Sequence, residues 1–155
     1  MKKLLGIVIV VLFLIVGLPF SCQYMEEPNR YFATYTEDLH KGLWVPDIFP
    51  KDIKEIYEQH NIDTDEVWLR FKIGSKKIDL SHYSILSEQQ KNNIEFHEPF
   101  MASWWFKSVI EQQPANNSIL YLNVYKGSCG ENRVSYIAIP KSSKTHDYYW
   151  WCQIK

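Results

Sequence analysis

The 155-residue sequence lacks an excess of charge of either sign, with 17 Lys and Arg residues against 18 Asp and Glu and a formal net charge of -1. This balance excludes a basic nucleic-acid binder. Glycine is scarce, with 6 residues, and 46% of the residues are hydrophobic, which excludes a collagen-like repeat and a wholly disordered chain. The length allows one domain.

Motifs that bind cofactors or metals are also missing. The sequence contains no phosphate-binding loop, no dinucleotide-binding glycine motif, no Gly-x-Ser-x-Gly elbow and no His-Glu-x-x-His pair. Asp63 and Asp65 begin like a calcium-binding loop, but Val67 and Trp68 follow where such a loop needs an oxygen ligand and a glycine. We therefore expect no metal, no cofactor and no enzymatic activity.

One long hydrophobic run stands at the N-terminus. Leu4 to Phe20 carries no charge, follows Lys2 and Lys3, and precedes Ser21 and Cys22. This layout is typical of a bacterial export signal. Two interpretations remain open: a lipoprotein signal cleaved before a lipidated Cys22, or an uncleaved membrane anchor. Both predict a protein of the bacterial cell envelope, anchored in the membrane with its domain facing the periplasm.

Cysteine is rare, and the three residues of this type form an odd count that needs an explanation. Lipidation of Cys22 would leave Cys129 and Cys152 as a pair, and an oxidising periplasm favours their disulfide. The alternative is that Cys129 and Cys152 are two unrelated buried thiols.

Helical signals appear at two places. Pro50 suits the first turn of a helix over Lys51–His60, in which Ile53, Ile56 and Tyr57 form one apolar stripe. Further along, Ser87 with Gln90 three residues later resembles a capping box and predicts a short helix to about residue 94.

Strand signals are stronger in the C-terminal third. Alternating or β-rich runs predict strands at Val67–Ile73, Ile119–Tyr125, Arg133–Ile139 and Tyr148–Ile154. Short connections make the last three an antiparallel meander. We expect an α+β fold with one or two helices packed on a mostly antiparallel sheet of about four strands. The domain would span residues 43–155, after a signal or anchor (1–21) and a tether (22–42).

Aromatic residues exceed what a small core needs. Adjacent residues of a strand point to opposite faces, so one of Trp150 and Trp151 faces away from the core unless both faces are covered. An outward Trp near Arg70 is typical of an interaction surface, for which Trp68, Arg70 and Trp151 are the candidates. The alternative is that these rings lie beneath the tether or a long loop.

A set of short motifs resembles a pattern of small, uncharacterised bacterial envelope proteins. These motifs are Trp44-Val45-Pro46, Phe49-Pro50, Ile53, His60, Asp63-Thr64, Trp68-x-Arg70-Phe71 and the closing Tyr-Tyr-Trp at 148–150. In that family a proline-initiated helix leads through an Asp-Thr turn into a Trp-x-x-Phe strand. The resemblance implies an exported, membrane-tethered module and carries over no catalytic residue.

Three functions are compatible with these features. The first is a non-enzymatic envelope module, anchored to the membrane through its N-terminus, that binds an envelope protein or polymer and no nucleic acid. The second is a toxin-immunity protein. The third is a small hydrolase that uses His60 with Asp63 or Asp65. The anchor, the surplus aromatics and the missing catalytic motifs favour the first.

Overall fold

The structure, a computed structural model, describes residues 29–35, 46, 48–105, 122–141 and 147–155. Within these residues seven strands form one sheet, accompanied by one short helix. They are β1 (Arg30–Thr34), β2 (Lys54–Asn61), β3 (Glu66–Lys72), β4 (Ser84–Ile85), α1 (Glu88–Asn92), β5 (Leu122–Ser128), β6 (Arg133–Pro140) and β7 (Asp147–Ile154). The strand order is β1-β2-β3-β7-β6-β5-β4, and every neighbouring pair is antiparallel.

The predicted α+β fold is wrong, because the sheet has seven strands and the single helix of the described chain is five residues long. The C-terminal meander is confirmed: β5, β6 and β7 are successive antiparallel neighbours. The capping box is confirmed as well, since the Gln90 backbone N–H donates to Ser87 Oγ at 3.3 Å and the Ser87 N–H donates to Gln90 Oε1 at 2.9 Å.

The helix predicted over Lys51–His60 is also wrong, because most of this segment is strand β2. The cause is a β-bulge. Between Lys54 and Tyr57 strand β2 uses one residue more than β3 does, and Glu55 adopts a positive φ of 50°. The extra residue lets Ile53 and Ile56 reach the same core although they are three positions apart, which imitates helical spacing.

The N-terminal part of the chain is described from residue 29 onward. Strand β1 lies within the segment 22–42 expected to be a tether, and it pairs with β2 at the edge of the sheet, with Phe32 opposite Ile56. The hydrophobic run Leu4–Phe20 and Cys22 lie outside the described residues. In the described ranges, no helix is long and apolar enough for a membrane crossing.

Each face of the sheet carries its own core. One face, called the cover face here, buries Trp68, Trp104, Trp105, Leu122, Val124, Val134, Tyr136, Ala138, Tyr149 and Trp151. The other, called the disulfide face, buries Phe49, Ile53, Ile56, Val67, Leu69, Phe71, Ile137, Trp150 and Cys152. Strand β7 therefore supplies large buried side chains to both cores, as the alternation of a strand requires.

An irregular stretch, residues 93–105, lies on the cover face and is called the cover segment. Four of its backbone carbonyls accept hydrogen bonds from side chains of the sheet, because an irregular segment cannot pair them with a neighbouring strand. Four such bonds connect three strands to the segment: Gln59 Nε2 to Phe100 O at 2.9 Å, Trp68 Nε1 to His97 O at 2.9 Å, Arg70 NH1 to Trp104 O at 3.1 Å and Gln153 Nε2 to Glu95 O at 2.6 Å.

The disulfide face is closed by a covalent bond. Cys129, just beyond β5, is bonded to Cys152 of β7, with their Cα atoms 6.2 Å apart. Nearby, the Tyr83 ring lies where a side chain at Gly127 would have to be, since a Cβ there would come within 2.7 Å of the ring. Trp150 Nε1 donates to the Tyr83 hydroxyl at 3.3 Å. The predicted pairing of the two cysteines is confirmed.

Loss of the disulfide should lower the free energy of unfolding by about 2–4 kcal/mol, because the bond restricts the unfolded chain between residues 23 apart. Cys129→Ser and Cys152→Ser should each show this loss. The double variant should lose little more than either, since one bond is lost only once. Urea unfolding followed by Trp fluorescence measures it, and equal midpoints for the oxidised and reduced protein would contradict it.

The side-chain bonds to the cover segment can be tested at Gln59, which is fully buried. Gln59→Leu removes the donor to Phe100 O and should cost about 1–3 kcal/mol, because a carbonyl is left without its partner. Gln89→Leu, the same change at an exposed position of α1, should change stability by less than about 0.5 kcal/mol. Equal unfolding midpoints for the two variants would show that the bond contributes nothing.

Candidate functional site

A cleft of about 410 Å³ opens on the cover face at the end of the sheet where β6 begins and β7 ends. Its volume lies within the range typical of small-molecule sites. One wall comes from α1 and the residues around it, including Leu86, Asn93 and Ile94. The opposite wall comes from the sheet, through Val134 and Tyr136 of β6 and the ends of β5 and β7.

The cleft combines apolar and polar groups. Amide side chains are contributed by Gln90, Asn93 and Gln153, and ammonium groups by Lys126 and Lys155. Such a mixture of apolar surface with a few polar groups is what small-ligand sites usually contain.

Gln153 is the buried polar group of this site, with 5% of its surface exposed. Its Nε2 donates to Glu95 O at 2.6 Å, which uses one side of the amide. Its Oε1 is buried and has no hydrogen-bond donor among the residues that the structure describes. The oxygen therefore lacks a donor in the described chain and is also closed off from solvent.

Tyr136 is one of the residues that line the cleft. Its ring stacks on Trp151, with centroids 5.0 Å apart and an interplanar angle of 24°. Burial raises the pKa of the Tyr136 hydroxyl above its ordinary value, because the phenolate would be poorly solvated there. The hydroxyl therefore stays protonated at neutral pH.

The proposed interaction surface of Trp68, Arg70 and Trp151 lies beneath the cover segment. Trp68 is 2% exposed and Trp151 is fully buried, so neither ring belongs to an exposed surface. Of the two alternatives left open by the sequence, burial under a long loop is the one found. These residues lie on one face of the sheet, with Trp68 opposite Trp151.

Arg70 forms an ion pair at the other end of the cover face. Its guanidinium pairs with Asp147 at 3.0 Å and lies 5.3 Å from the centroid of the Tyr57 ring. The cation thus binds β7 and β2 in addition to the cover-segment carbonyl. Its partners make Arg70 a link between elements of the fold.

The candidate acid–base residues are only partly brought together. His60 Nε2 lies 3.7 Å from Asp65 Oδ1, and burial lowers the pKa of His60 although Asp65 opposes the shift. Asp65 also faces Arg133 NH1 at 3.7 Å. Asp63 is exposed in the turn, where its backbone N–H donates to Asn61 Oδ1 at 2.9 Å.

Sequence reasoning missed Glu58, the most buried carboxyl group described. Glu58 is 1% exposed, and neither of its carboxyl oxygens has a hydrogen-bond partner in the described chain. Burial raises its pKa from 4.5 to about 7, although Arg30 Nε, 4.0 Å from Oε2, opposes the shift. The incorrect helix prediction gave no reason to expect a buried Glu58. Strand alternation would have placed Glu58 on the same face as the buried Ile56.

A second missed pair fixes the cover segment to β3. His97 Nδ1 lies 2.6 Å from Glu66 Oε1, and Thr64 Oγ1 donates to Glu66 Oε2 at 3.0 Å. Their separation of 31 residues along the chain gave no local signal for this contact.

In the described ranges, no three His, Cys, Asp or Glu side chains are grouped so that they could hold a metal ion.

In a comparison with known families, the YbbD head domain matches residues 26–72. The matched part contains β1, β2 and β3. The cleft is lined entirely by residues that follow this part. No curated protein and no solved structure matches the chain.

The buried carboxyl of Glu58 predicts a pH dependence of stability. Its pKa of about 7 in the folded protein exceeds the ordinary 4.5, so the folded state binds more protons between these values. The free energy of unfolding should therefore fall as the pH rises from about 4.5 to 7, by roughly 2–3 kcal/mol.

Glu58→Gln should remove this decrease, because the amide does not ionise. Glu98→Gln, at an exposed carboxyl, should retain it. Urea unfolding at pH 5 and pH 8 measures the difference. A wild-type decrease that persists unchanged in Glu58→Gln would assign it to another group.

Proposed function

We propose that this chain is a membrane-anchored module of the bacterial cell envelope, with its domain facing the periplasm and a binding role that involves no catalysis. The observation that carries the proposal is the disulfide between Cys129 and Cys152. Disulfides form and persist in oxidising compartments and are rare in the cytosol.

The cysteine count supports the same proposal. Because the other two cysteines pair with each other, Cys22 is left for lipidation. It follows the apolar run Leu4–Phe20 and Ser21, in the order of a lipoprotein signal. The similarity of residues 26–72 to the YbbD head domain is compatible with an envelope protein.

The binding role is supported by the cleft beside Tyr136. It has the volume and mixed lining of a ligand site. Of the candidate acid–base residues, by contrast, His60 lies in strand β2, and Asp63 and Asp65 lie on a turn that is stabilised by its own hydrogen bonds.

Lipidation can be tested by acyl labelling of the full chain in a bacterial host. The wild type should incorporate a labelled fatty acid and lose residues 1–21, whereas Cys22→Ala should do neither. Cys129→Ser is the matched control and should still be labelled. An unlabelled wild type that retains residues 1–21 would favour the uncleaved anchor.

The compartment is tested separately. Alkaline phosphatase fused after Lys155 should be active, because this enzyme needs the disulfides that form outside the cytoplasm. A stable but inactive fusion would overturn the envelope location.

A further inference from the structure

Strand β1 forms one edge of the sheet. It stands first in the strand order, so among the residues that the structure describes only β2 lies beside it. Four of its five residues are exposed. The opposite edge is formed by β4, which has two residues and pairs with only part of β5. Of the two edges of the described sheet, β1 therefore offers the longer uninterrupted one.

The free backbone groups of this edge belong to alternate residues. Tyr35 N–H donates to Ile53 O at 3.2 Å, so the odd-numbered residues of β1 direct their backbone groups toward β2. The N–H and C=O groups of Arg30, Phe32 and Thr34 consequently point to the outer side, where no strand lies in the described ranges. An unpaired row of this kind is a template for one more strand.

Strand β1 also lacks the features that keep exposed edges from pairing, which are proline, lysine, inward-pointing charge, a bulge on the edge or a covering segment. Its five residues include no proline, no lysine and no carboxylate. Its single charge, Arg30, faces Glu58 of β2. The bulge at Glu55 lies in β2, inside the sheet, and leaves the register of β1 regular. The edge is therefore suited to pairing.

A second copy of this chain provides a strand that fits the edge. A two-fold axis perpendicular to the sheet makes two β1 strands antiparallel and keeps equivalent faces on the same side. If Phe32 lies opposite the Phe32 of the second copy, then Arg30 lies opposite Thr34 and Tyr31 lies opposite Ala33. This register uses the whole strand, and every outward N–H of both copies gains a carbonyl partner.

The side chains are complementary in the same register. Arg30 faces a neutral threonine rather than a second arginine, so no like charges oppose each other. The large ring of Tyr31 faces the small Ala33, and Phe32 forms a cross-strand aromatic pair with its equivalent. Tyr31 is 55% exposed and contacts Tyr57 with centroids 4.9 Å apart, so covering its ring would remove apolar surface from water.

We propose that β1 pairs with β1 of a second copy of this chain, so that two seven-stranded sheets join into one continuous sheet. The ladder between the copies is antiparallel and centred on Phe32. Because the ladder is short, it gains from an anchor that holds the copies in one membrane at a raised local concentration. In this respect the pairing rests on the membrane anchoring proposed above.

Cysteine cross-linking of the full-length chain tests the pairing and its register, in lysed cells with copper phenanthroline as oxidant. In the proposed ladder the two Phe32 Cα atoms lie about 5.5 Å apart, within the range that a disulfide bridges. Phe32→Cys should therefore form a covalent dimer. Thr34→Cys is the matched control and should stay monomeric, because the two Thr34 residues lie about 13 Å apart along the strands.

The register predicts one further pattern. Arg30→Cys alone should stay monomeric, but co-expressed with Thr34→Cys it should form a covalent dimer, since these two positions lie opposite each other. The unsubstituted chain gives the background that comes from Cys22.

A second substitution weakens the ladder without moving the cysteine. Thr34→Pro deletes one outward N–H and should lower the dimer yield of Phe32→Cys, because proline cannot donate to a ladder. Thr34→Val keeps this N–H and should leave the yield unchanged. Equal urea midpoints for the two variants would show that the domain itself is intact.

Three results would overturn the proposal: no dimer with Phe32→Cys, equal dimer yields for Phe32→Cys and Thr34→Cys, or a yield that Thr34→Pro leaves unchanged. Cross-linking of Phe32→Cys to a different protein in place of its own copy would overturn it as well. The phosphatase fusion decides the envelope location independently, because in lysed cells the oxidant reaches the domain on either side of the membrane.

Discussion

Strand β7 places large side chains on both faces of the sheet, so each face needs its own layer of chain. Tyr149 and Trp151 point to the cover face, while Trp150 and Cys152 point to the disulfide face, and all four are buried. Irregular segments supply most of these layers in the described chain. Because such segments leave carbonyl groups without backbone partners, the sheet must present donors beneath them. The polar and indole side chains under the cover segment meet this requirement.

The sequence predicted the elements whose signals are local and missed those that depend on distant partners. Alternation identified β3, and short connections identified the meander of β5, β6 and β7. The bulge at Glu55 changed the spacing of Ile53 and Ile56 to that of a helix, and β2 is rich in residues that favour helices. Strand β1 has five residues and little buried surface, so its pairing with β2 left no hydrophobic pattern to find.

In the candidate site too, features with local sequence signals were predicted and features that depend on distant partners were missed. The disulfide followed from counting cysteines and from the direction of the strands. Trp68 and Trp151 were candidates for one interaction surface, but their exposure depended on whether a loop lay above them, which alternation alone does not show. The cleft lies between α1 and the ends of β6 and β7, which share no motif in the sequence. The hydrogen bond from Gln153 to Glu95 O joins residues far apart in the chain, so no local sequence signal indicated it.

The central pairing of β3 with β7 has a consequence for how the chain folds. Residues 67–72 pair with residues 147–152, so the middle of the sheet forms only once β7 is available to pair with β3. Until then β3 presents an unpaired edge and its apolar residues to other chains, which is a route to aggregation. A chain stalled during synthesis or translocation before β7 emerges would therefore keep that edge open, and it would become a substrate for chaperones or proteases.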